Sequence, residues 1–246
     1  MGKWSQIVGR IFLDWLAAPP GLRWLDVGCG NGAFTELVVQ RCSPAAVVGI
    51  DPSEAQLGHA RARLAPASVQ FRQGNAMALP IDDHDCDVAV MPLVIFFVPD
   101  PAKGVAELAR VVKPGGIVAA YAWDMAGGGF PYAALLNELR AVDVAVPHPP
   151  NEDASRLEVM RELWEGTGLE SVETRVITAQ RTFVDFEDYW TTVLGSPSAG
   201  KALAAMPSDA VARLRARLEA RLPPASNGSI TCSASANAVK GLVGNL

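Results

Sequence analysis

Short apolar runs rich in β-branched residues alternate with stretches of helical apolar spacing through the first half of the chain. The apolar runs are residues 24–27, 45–50, 69–72, 88–91 and 117–123. The helical stretches include residues 5–17, 53–64 and 102–112. Runs of the first kind are typical of buried strands, and strand-helix-strand units join parallel neighbours. The order therefore predicts a parallel sheet with helices on both faces.

The second half continues this order but contains two insertions. Its regular elements are a helix at 154–166 and strands at 172–178 and 229–239. The insertions are residues 125–150 and 183–224. We predict one α/β domain over residues 1–246, with an N-terminal helix in residues 1–20 and a doubly wound, Rossmann-like, seven-stranded sheet whose last strand is antiparallel. The aromatic face of the second insertion either covers a ligand pocket or docks on the core.

The first strand leads into a glycine-rich turn and then a helix. Gly28, Gly30 and Gly32 let the backbone turn tightly and approach a ligand, and the helix points free N–H groups at it. Asp26 lies two residues before the turn, at an otherwise apolar strand end. A buried carboxylate needs a partner, which is either the backbone of the turn or the ammonium group of a ligand. The pattern predicts a nucleotide-cofactor site.

A second acidic residue, Asp51, ends the second strand about twenty residues beyond the glycine turn. At this spacing a carboxylate can accept hydrogen bonds from both hydroxyls of a ribose. Asp51, Pro52 and Ser53 also precede a helix, so capping of that helix is the alternative role.

Three segments carry a family resemblance. Residues 25–35, LDVGCGNGAFT, resemble the first motif of class I S-adenosylmethionine-dependent methyltransferases, in the type 11 branch that includes quinone-biosynthesis enzymes. GNAMALP at 74–80 resembles the family's GDAxxLP segment, and KPGG at 113–116 matches its turn into the fifth strand. The resemblance implies S-adenosyl-L-methionine as cofactor, a seventh strand between the fifth and sixth, and insertions over the substrate side.

The same resemblance implies which residues contact the cofactor. Asp26 would face the methionine ammonium, and Gly28 and Gly30 would lie under the methionine and ribose portions. Asn75 stands where the family has Asp, and its amide oxygen can still accept a hydrogen bond from the adenine amino group. Trp4 is either a lid residue or a core residue at a helix start. The full implied set is Trp4, Asp26, Gly28, Cys29, Gly30, Asp51, Pro52, Asn75, Ala76, Met77 and Met91.

Charge and composition narrow the class of partner. A formal net charge of −5 gives no basic field for a nucleic-acid backbone, which favours a small-molecule acceptor. The four cysteines and three histidines lack metal-ligand spacing, so no metal site is predicted. The longest apolar run, residues 88–99, is too short to span a bilayer, and the N-terminal segment does not resemble a signal peptide. We expect a cytoplasmic protein that binds neither membranes nor nucleic acid.

The resemblance implies an enzyme that transfers a methyl group to an acceptor by in-line displacement, and the charge favours a small molecule as that acceptor. Tyr121, Asp124 and His148 follow or end the fifth strand, but no motif supports any of them as a general base, so the catalytic residues are unassigned. Phe96 and Phe97 occupy positions where the family often has histidine. Two alternatives stay open: an NAD(P)-dependent oxidoreductase, because the turn also fits G-x-G-x-x-A, and a non-catalytic S-adenosylmethionine-binding protein.

Overall fold

The structure is a computed structural model that describes residues 2–144, 148–195 and 197–244. Residues 145–147 and 196, which belong to the two predicted insertions, lie outside the described residues. The strands are β1 (Arg23–Val27), β2 (Ala46–Asp51), β3 (Val69–Gln73), β4 (Cys86–Pro92), β5 (Val112–Trp123), β6 (Glu170–Phe183) and β7 (Ile230–Leu242). The helices are α1 (Gly2–Leu16), α2 (Ala33–Cys42), α3 (Glu54–Arg63), α4 (Pro101–Val111), α5 (Ala133–Arg140), α6 (Leu157–Gly166), α7 (Phe186–Leu194), α8 (Pro197–Ala204) and α9 (Ser208–Arg221).

All seven strands form one sheet in the order β3-β2-β1-β4-β5-β7-β6. Strands β1 to β5 are parallel, and β7 runs antiparallel to both of its neighbours, β5 and β6. The predicted seven-stranded, doubly wound sheet with an antiparallel last strand is therefore confirmed. The strand order reverses between β1 and β4, so the carboxyl ends of these strands flank the crevice in which open α/β sheets bind ligands.

Capping residues begin two of the helices close to the predicted positions. The Ser53 hydroxyl accepts a hydrogen bond from the Gln56 N–H at the start of α3, and the Asp100 carboxylate accepts one from the Lys103 N–H at the start of α4. Each bond satisfies a backbone donor that has no partner within its helix. The starts of α3 and α4 are thus fixed by N-cap residues that lie next to them in the sequence.

Strand β6 is longer than the predicted run at 172–178. Polar and apolar residues alternate through its second half: Ile177, Ala179 and Phe183 are buried, and Thr178, Gln180 and Thr182 on the opposite face are exposed. Arg181, on the buried face, is half-buried. Thr182, a β-branched polar residue, pairs with Thr231 on β7. Because this alternation has a period of two, it supports a strand as far as Phe183.

The β6–β7 pair extends beyond the sheet edge that carries the glycine turn. Strand β5 ends at Trp123, opposite Ala236, whereas β6 and β7 remain paired as far as Phe183 and Ile230. We call this extension (residues 178–183 and 230–235) together with α7, α8 and α9 the cap.

Helix α5 is joined to the cap through a buried acid. Glu138 of α5 is 2% exposed, and its carboxylate lies 3.1 Å from Arg217 Nε and 2.7 Å from Arg221 Nε of α9. The Arg221 contact is an ion pair without the alignment of a hydrogen bond. In the part of the chain that the structure describes, no helix is both long enough and apolar enough to cross a membrane.

Candidate cofactor site

The glycine turn is held against the end of β2 by backbone hydrogen bonds. The N–H groups of Gly28 and Cys29 both donate to the Ile50 carbonyl, at 2.7 and 3.0 Å. Gly28, Gly30 and Gly32 have φ angles of 74°, 53° and 77°, in the left-handed region that favours glycine. Helix α2 begins directly after Gly32, so its first N–H groups are at the turn.

Asp26 is a fully buried carboxylate with one oxygen lacking a partner. Its Oδ2 accepts a 2.6 Å hydrogen bond from the Thr35 hydroxyl, while its Oδ1 has no hydrogen-bond partner among the described residues. Burial raises the pKa of Asp26 to about 7, against the Thr35 hydrogen bond, which lowers it, and with a smaller increase from the negative charge of Asp51. An unpaired, buried oxygen of this kind suits a cationic ligand group.

Asp51 supports the glycine turn and also caps the next segment. Its Oδ2 accepts a hydrogen bond from the Gly30 N–H at 2.9 Å, and its Oδ1 accepts one from the Ser53 N–H at 2.9 Å. Each carboxylate oxygen has a further lone pair, and 9% of the residue is exposed, although Asp51 is not among the residues that line the two cavities described below. The ribose and capping roles are therefore compatible.

Two cavities meet at Gly28. The first is lined by Ser5, Gln6, Gly28, Cys29, Ala33, Phe34, Leu37, Pro92, Leu93 and Tyr121. The second is lined by Val27, Gly28, Ile50, Pro52, Gly74, Asn75, Ala76, Val94, Phe97, Val98 and Pro99. Their volumes are about 130 and 170 Å³. Each is smaller than the roughly 300–1,000 Å³ of a typical ligand site, and only together do they reach that range.

Val94, which lines the second cavity, lies directly against Gly28. A methyl group added at Gly28 would lie 2.4 Å from Val94 Cγ2, so the valine side chain occupies the space that glycine leaves open. The preceding residue, Leu93, has a φ of 61°, which is strained for a branched side chain. The loop after β4 thus lies tightly against the glycine turn.

Several of the residues predicted to contact a cofactor line these cavities. Cys29 is at the first, and Pro52, Asn75 and Ala76 are at the second. The Asn75 side-chain oxygen also accepts a 2.9 Å hydrogen bond from the Met77 N–H, which fixes the orientation of the amide. Met77 itself is not among the residues lining either cavity, and its part in the site is this backbone contact.

The structure corrects the placement of Trp4 and Met91. Met91 is fully buried, and its Cε lies 3.7 Å from the position of a methyl group added at Gly104 on α4. Alternation along β4 directs Pro92 to the first cavity and Met91 to the opposite face, so Met91 does not reach the site. Trp4 is fully buried in the core, and its neighbours on α1, Ser5 and Gln6, line the first cavity.

Tyr121 is a cavity residue for which the sequence carried no motif. Its ring is buried, and burial together with the charge of Asp26 raises the pKa of its hydroxyl far above the usual value. Tyr121 is therefore a neutral hydrogen-bond donor and a poor general base. Phe97 lines the second cavity and is 58% exposed, whereas Phe96 is buried.

The two other candidates for a general base have structural partners. The Asp124 carboxylate accepts a hydrogen bond from the Gly127 N–H, and His148 Nδ1 lies 2.9 Å from the Glu152 carboxylate. Neither residue lines the two cavities. The catalytic residues stay unassigned.

One segment of the chain is similar in sequence to a known protein family. Residues 25–120 match the family described as a methyltransferase domain. The chain is 38% identical over 106 residues to a demethylmenaquinone methyltransferase of Desulfitobacterium hafniense, a match that covers 41% of this chain and 42% of that protein. It is 42% identical over 107 residues to a ubiquinone biosynthesis O-methyltransferase of Hahella chejuensis, covering 42% of this chain and 44% of that protein. The chain thus spans less than half the length of these curated relatives.

Solved structures match nearly the whole chain. The YcgJ protein of Bacillus subtilis has a TM-score of 0.64 at 18% identity, over 97% of this chain and 99% of that chain. Phosphoethanolamine N-methyltransferase 2 of Haemonchus contortus, solved with S-adenosyl-L-methionine, has a TM-score of 0.59 at 18% identity, over 98% of this chain and 53% of that chain. At such identities the likeness shows the fold alone. Residues 25–120 therefore match the methyltransferase domain family, and they lie in a chain that has the Rossmann-like methyltransferase fold.

Proposed function

We propose that the protein transfers a methyl group from S-adenosyl-L-methionine to a small-molecule acceptor. The observation that carries this proposal is the unpaired Oδ1 of Asp26, a buried carboxylate oxygen beside the glycine turn. An α-ammonium group is the part of this cofactor that would complete the charge and the hydrogen bond. The methyltransferase family of residues 25–120 supports the same cofactor.

The two cavities suggest how the remaining parts of the cofactor would be held. Asp51, with a free lone pair on each carboxylate oxygen, would accept hydrogen bonds from the ribose hydroxyls. The second cavity, with Pro52, Asn75 and Ala76 in its wall, would hold the adenine. Gly28 lines both cavities, so it would lie beside the junction of the methionine and ribose portions.

The contribution of the chain to the reaction would be positioning. The cofactor supplies an activated methyl group on a sulfonium, which needs no metal and no covalent enzyme intermediate. Pro92, Leu93 and Phe34 are apolar residues of the first cavity's wall and would help to exclude water from the reacting groups. Tyr121 stays protonated and can donate a hydrogen bond there, but it cannot remove a proton at neutral pH. An acceptor that is already nucleophilic at neutral pH fits this site best.

We infer that residues 1–246 form one domain and that the insertions at 125–150 and 183–224 lie over the acceptor side. The projection of β6 and β7 beyond β5, and the ion pairs that tie α5 to α9, support this arrangement. A cytoplasmic location is supported by the four cysteines, which are all free thiols.

Calorimetric titration with S-adenosylmethionine tests the cofactor assignment. We expect Asp51→Ala to weaken binding by about 1–3 kcal/mol through the lost charged hydrogen bonds, and Asp26→Ala to weaken it at least as much. Asp82→Ala, which removes an exposed acid of a loop, is the matched control and should bind normally. Normal binding by both variants, or tighter binding of NAD than of S-adenosylmethionine, would overturn the proposal.

Turnover is tested separately with methyl-labelled S-adenosylmethionine and a panel of phenols, quinols and amines. Transfer of the label to any member supports the enzyme and identifies the acceptor atom. Tight cofactor binding without transfer to any member would favour a non-catalytic binding protein.

A further inference from the structure

Tyr121 enters the wall of the first cavity from the end of β5 with a hydroxyl that has no partner. The residue lines that cavity and is 1% exposed. Among the described residues none forms a hydrogen bond with this hydroxyl, yet it is not one of the fully enclosed unpaired atoms, as the Tyr132 hydroxyl is. The Tyr121 hydroxyl therefore keeps some accessible surface beside the cavity, and its hydrogen bond is available to a ligand.

The direction of the Tyr121 side chain is fixed by its neighbours. The centre of its ring lies 4.7 Å from that of Phe12 on α1 and 5.9 Å from that of Phe34 on α2. A methyl group added at Gly9 of α1 would lie 3.3 Å from the Tyr121 hydroxyl. Gly9 is about one helical turn beyond Ser5, which also lines the cavity, so the hydroxyl lies on the α1 side of the cavity.

The start of α2 supplies further donors to the same cavity. Ala33 and Phe34, the first two residues of α2, line it. Gly32 precedes them and has no side chain to cap the helix, so the first N–H groups have no acceptor within α2. The N-terminal end of a helix carries partial positive charge, which favours an anion. None of the described residues that line the first cavity has a charged side chain, so neutral donors would bind that anion.

The first turn of α2 joins these donors to the acid whose oxygen is unpaired. The Thr35 hydroxyl donates to the Asp26 carboxylate, and the adjacent residue, Phe34, packs against the Tyr121 ring. Asp26 needs a cation, whereas Tyr121 and the free N–H groups suit an anion. The two kinds of group are thus held by consecutive residues of one helix.

The strand register places Asp26 and Tyr121 on the same face of the sheet. Asp26 pairs with Val90, and Val90 pairs with Ala119, which is two residues before Tyr121 on β5. Directly paired residues share a face, and residues separated by an even number along a strand do so as well. A zwitterion, in which an ammonium and a carboxylate are attached to one carbon, is the ligand group that matches an acid and a set of neutral donors on one face.

We propose that the Tyr121 hydroxyl and the free N–H groups at the start of α2 bind the carboxylate of the cofactor's amino-acid end. This inference rests on the proposed methyl transfer and adds to it a positioning residue. The first cavity, of about 130 Å³, has room for one end of a ligand but not for the whole. With its ammonium at Asp26 and its carboxylate at Tyr121, the amino-acid end would be held at two points, which fixes the position of the nearby methyl group.

Two ligands that differ in one group test this assignment by calorimetry at pH 8. S-adenosylmethionine and its decarboxylated analogue share the nucleoside, the sulfonium and the amine, and only the first has the carboxylate. We expect the unsubstituted protein to bind S-adenosylmethionine at least about tenfold more tightly than the analogue. Tyr121→Phe should weaken binding of S-adenosylmethionine by about 10-fold to 100-fold, as expected for a hydrogen bond to a charged group, and change binding of the analogue by less than about twofold.

Control variants separate carboxylate binding from folding and from ammonium binding. Tyr132→Phe also removes a buried hydroxyl without a partner, but Tyr132 lines neither cavity, so both affinities should stay unchanged. Asp26→Ala should weaken binding of both ligands, because both carry the amine. Thermal unfolding of ligand-free Tyr121→Phe should match that of the unsubstituted protein, since the hydroxyl has no hydrogen bond to lose.

The outcomes distinguish this inference from the proposed function. If S-adenosylmethionine binds but Tyr121→Phe weakens both ligands alike or neither, or the unsubstituted protein binds both equally, the carboxylate site is overturned and methyl transfer is untouched. If neither ligand binds the unsubstituted protein, the proposed function is overturned and this inference with it. Should Tyr121→Phe fail to fold, the ratio of the two affinities in the unsubstituted protein is the deciding measurement.

Discussion

The Thr35 hydroxyl of α2 donates a 2.6 Å hydrogen bond to the Asp26 carboxylate of β1, and both side chains are fully buried. This contact joins the first turn of α2 to the end of β1 across the glycine turn. It satisfies only one of the two carboxylate oxygens, and Asp26 Oδ1 has no hydrogen-bond partner among the described residues.

Removal of the hydroxyl should destabilise the protein. Thr35→Val leaves the Asp26 carboxylate without its only side-chain donor, and we expect a loss of about 1–3 kcal/mol in the free energy of unfolding. Urea unfolding at pH 8, where Asp26 is charged, is the measurement. Thr35→Ser keeps the hydroxyl and should retain most of the stability; an equal loss in both variants would mean that packing rather than the hydrogen bond matters.

The stability of the ligand-free protein should fall as the pH rises from 4 to 7. The pKa of Asp26 is about 7 in the folded protein and 3.8 as a model value, so the folded state keeps a proton that the unfolded chain has lost. The unfolded state binds fewer protons over this range, and stability therefore decreases with pH, by up to about 4 kcal/mol from this group. Asp26→Asn should remove this contribution, and the exposed Asp82→Asn should not.

Affinity for S-adenosylmethionine should have the opposite pH dependence. Only the ionised Asp26 carboxylate attracts an ammonium group, so affinity should fall about tenfold for each pH unit below 7. Calorimetry at pH 6 in buffers of different ionisation enthalpy should show release of a proton on binding. A pH-independent affinity between 5.5 and 7 in the unsubstituted protein would contradict this role for Asp26.

Substitution of Gly28 should block the cofactor site. In Gly28→Ala the new methyl group would lie 2.4 Å from Val94 Cγ2, and φ is 74°, so we expect at least a tenfold loss of cofactor affinity. Gly58→Ala in α3 has open space around its added methyl group and should bind normally. Adding Val94→Ala to Gly28→Ala relieves the contact but not the backbone strain, so affinity should recover in part.

Removing the acid and removing the arginines of the α5–α9 ion pairs should lower the stability by different amounts. Glu138→Gln removes the buried member and leaves exposed arginines in water, so we expect a loss of about 1–2 kcal/mol. Replacing both Arg217 and Arg221 by Ala leaves a buried carboxylate unpaired and should cost about 3–5 kcal/mol. Thermal unfolding measures both, and Glu219→Gln, exposed on α9, is the control. An equal loss of stability in Glu138→Gln and in the double arginine variant would mean that these side chains stabilise the protein only by packing.

The sheet could be predicted from the sequence because each of its signals is local. The apolar runs, the left-handed glycines at the turn and the Asp100 cap act through neighbouring residues, and they fix the strand and helix order. The seventh strand was placed by family resemblance, and the register confirms it. The end of β6 was missed because its alternation of polar and apolar residues continues into what resembled an insertion.

The predictions that Met91 and Trp4 contact the cofactor failed because the direction of a side chain decides whether it reaches the site. Met91 and Pro92 are adjacent, yet only Pro92 faces a cavity, and the sequence does not state which face of a buried strand meets the ligand. On α1, likewise, Trp4 is buried in the core whereas Gln6 lines the first cavity.

The β6–β7 extension has a consequence for the proposed methyl transfer. The candidate cofactor site is at the carboxyl ends of β1, β2 and β4, whereas the extension belongs to strands at the far end of the sheet. If the extension lies over the acceptor as proposed, sequence changes in it would alter which compounds are accepted without disturbing the cofactor site. Grafting the segment 178–235 between homologues would then give chimeras with exchanged acceptor preference.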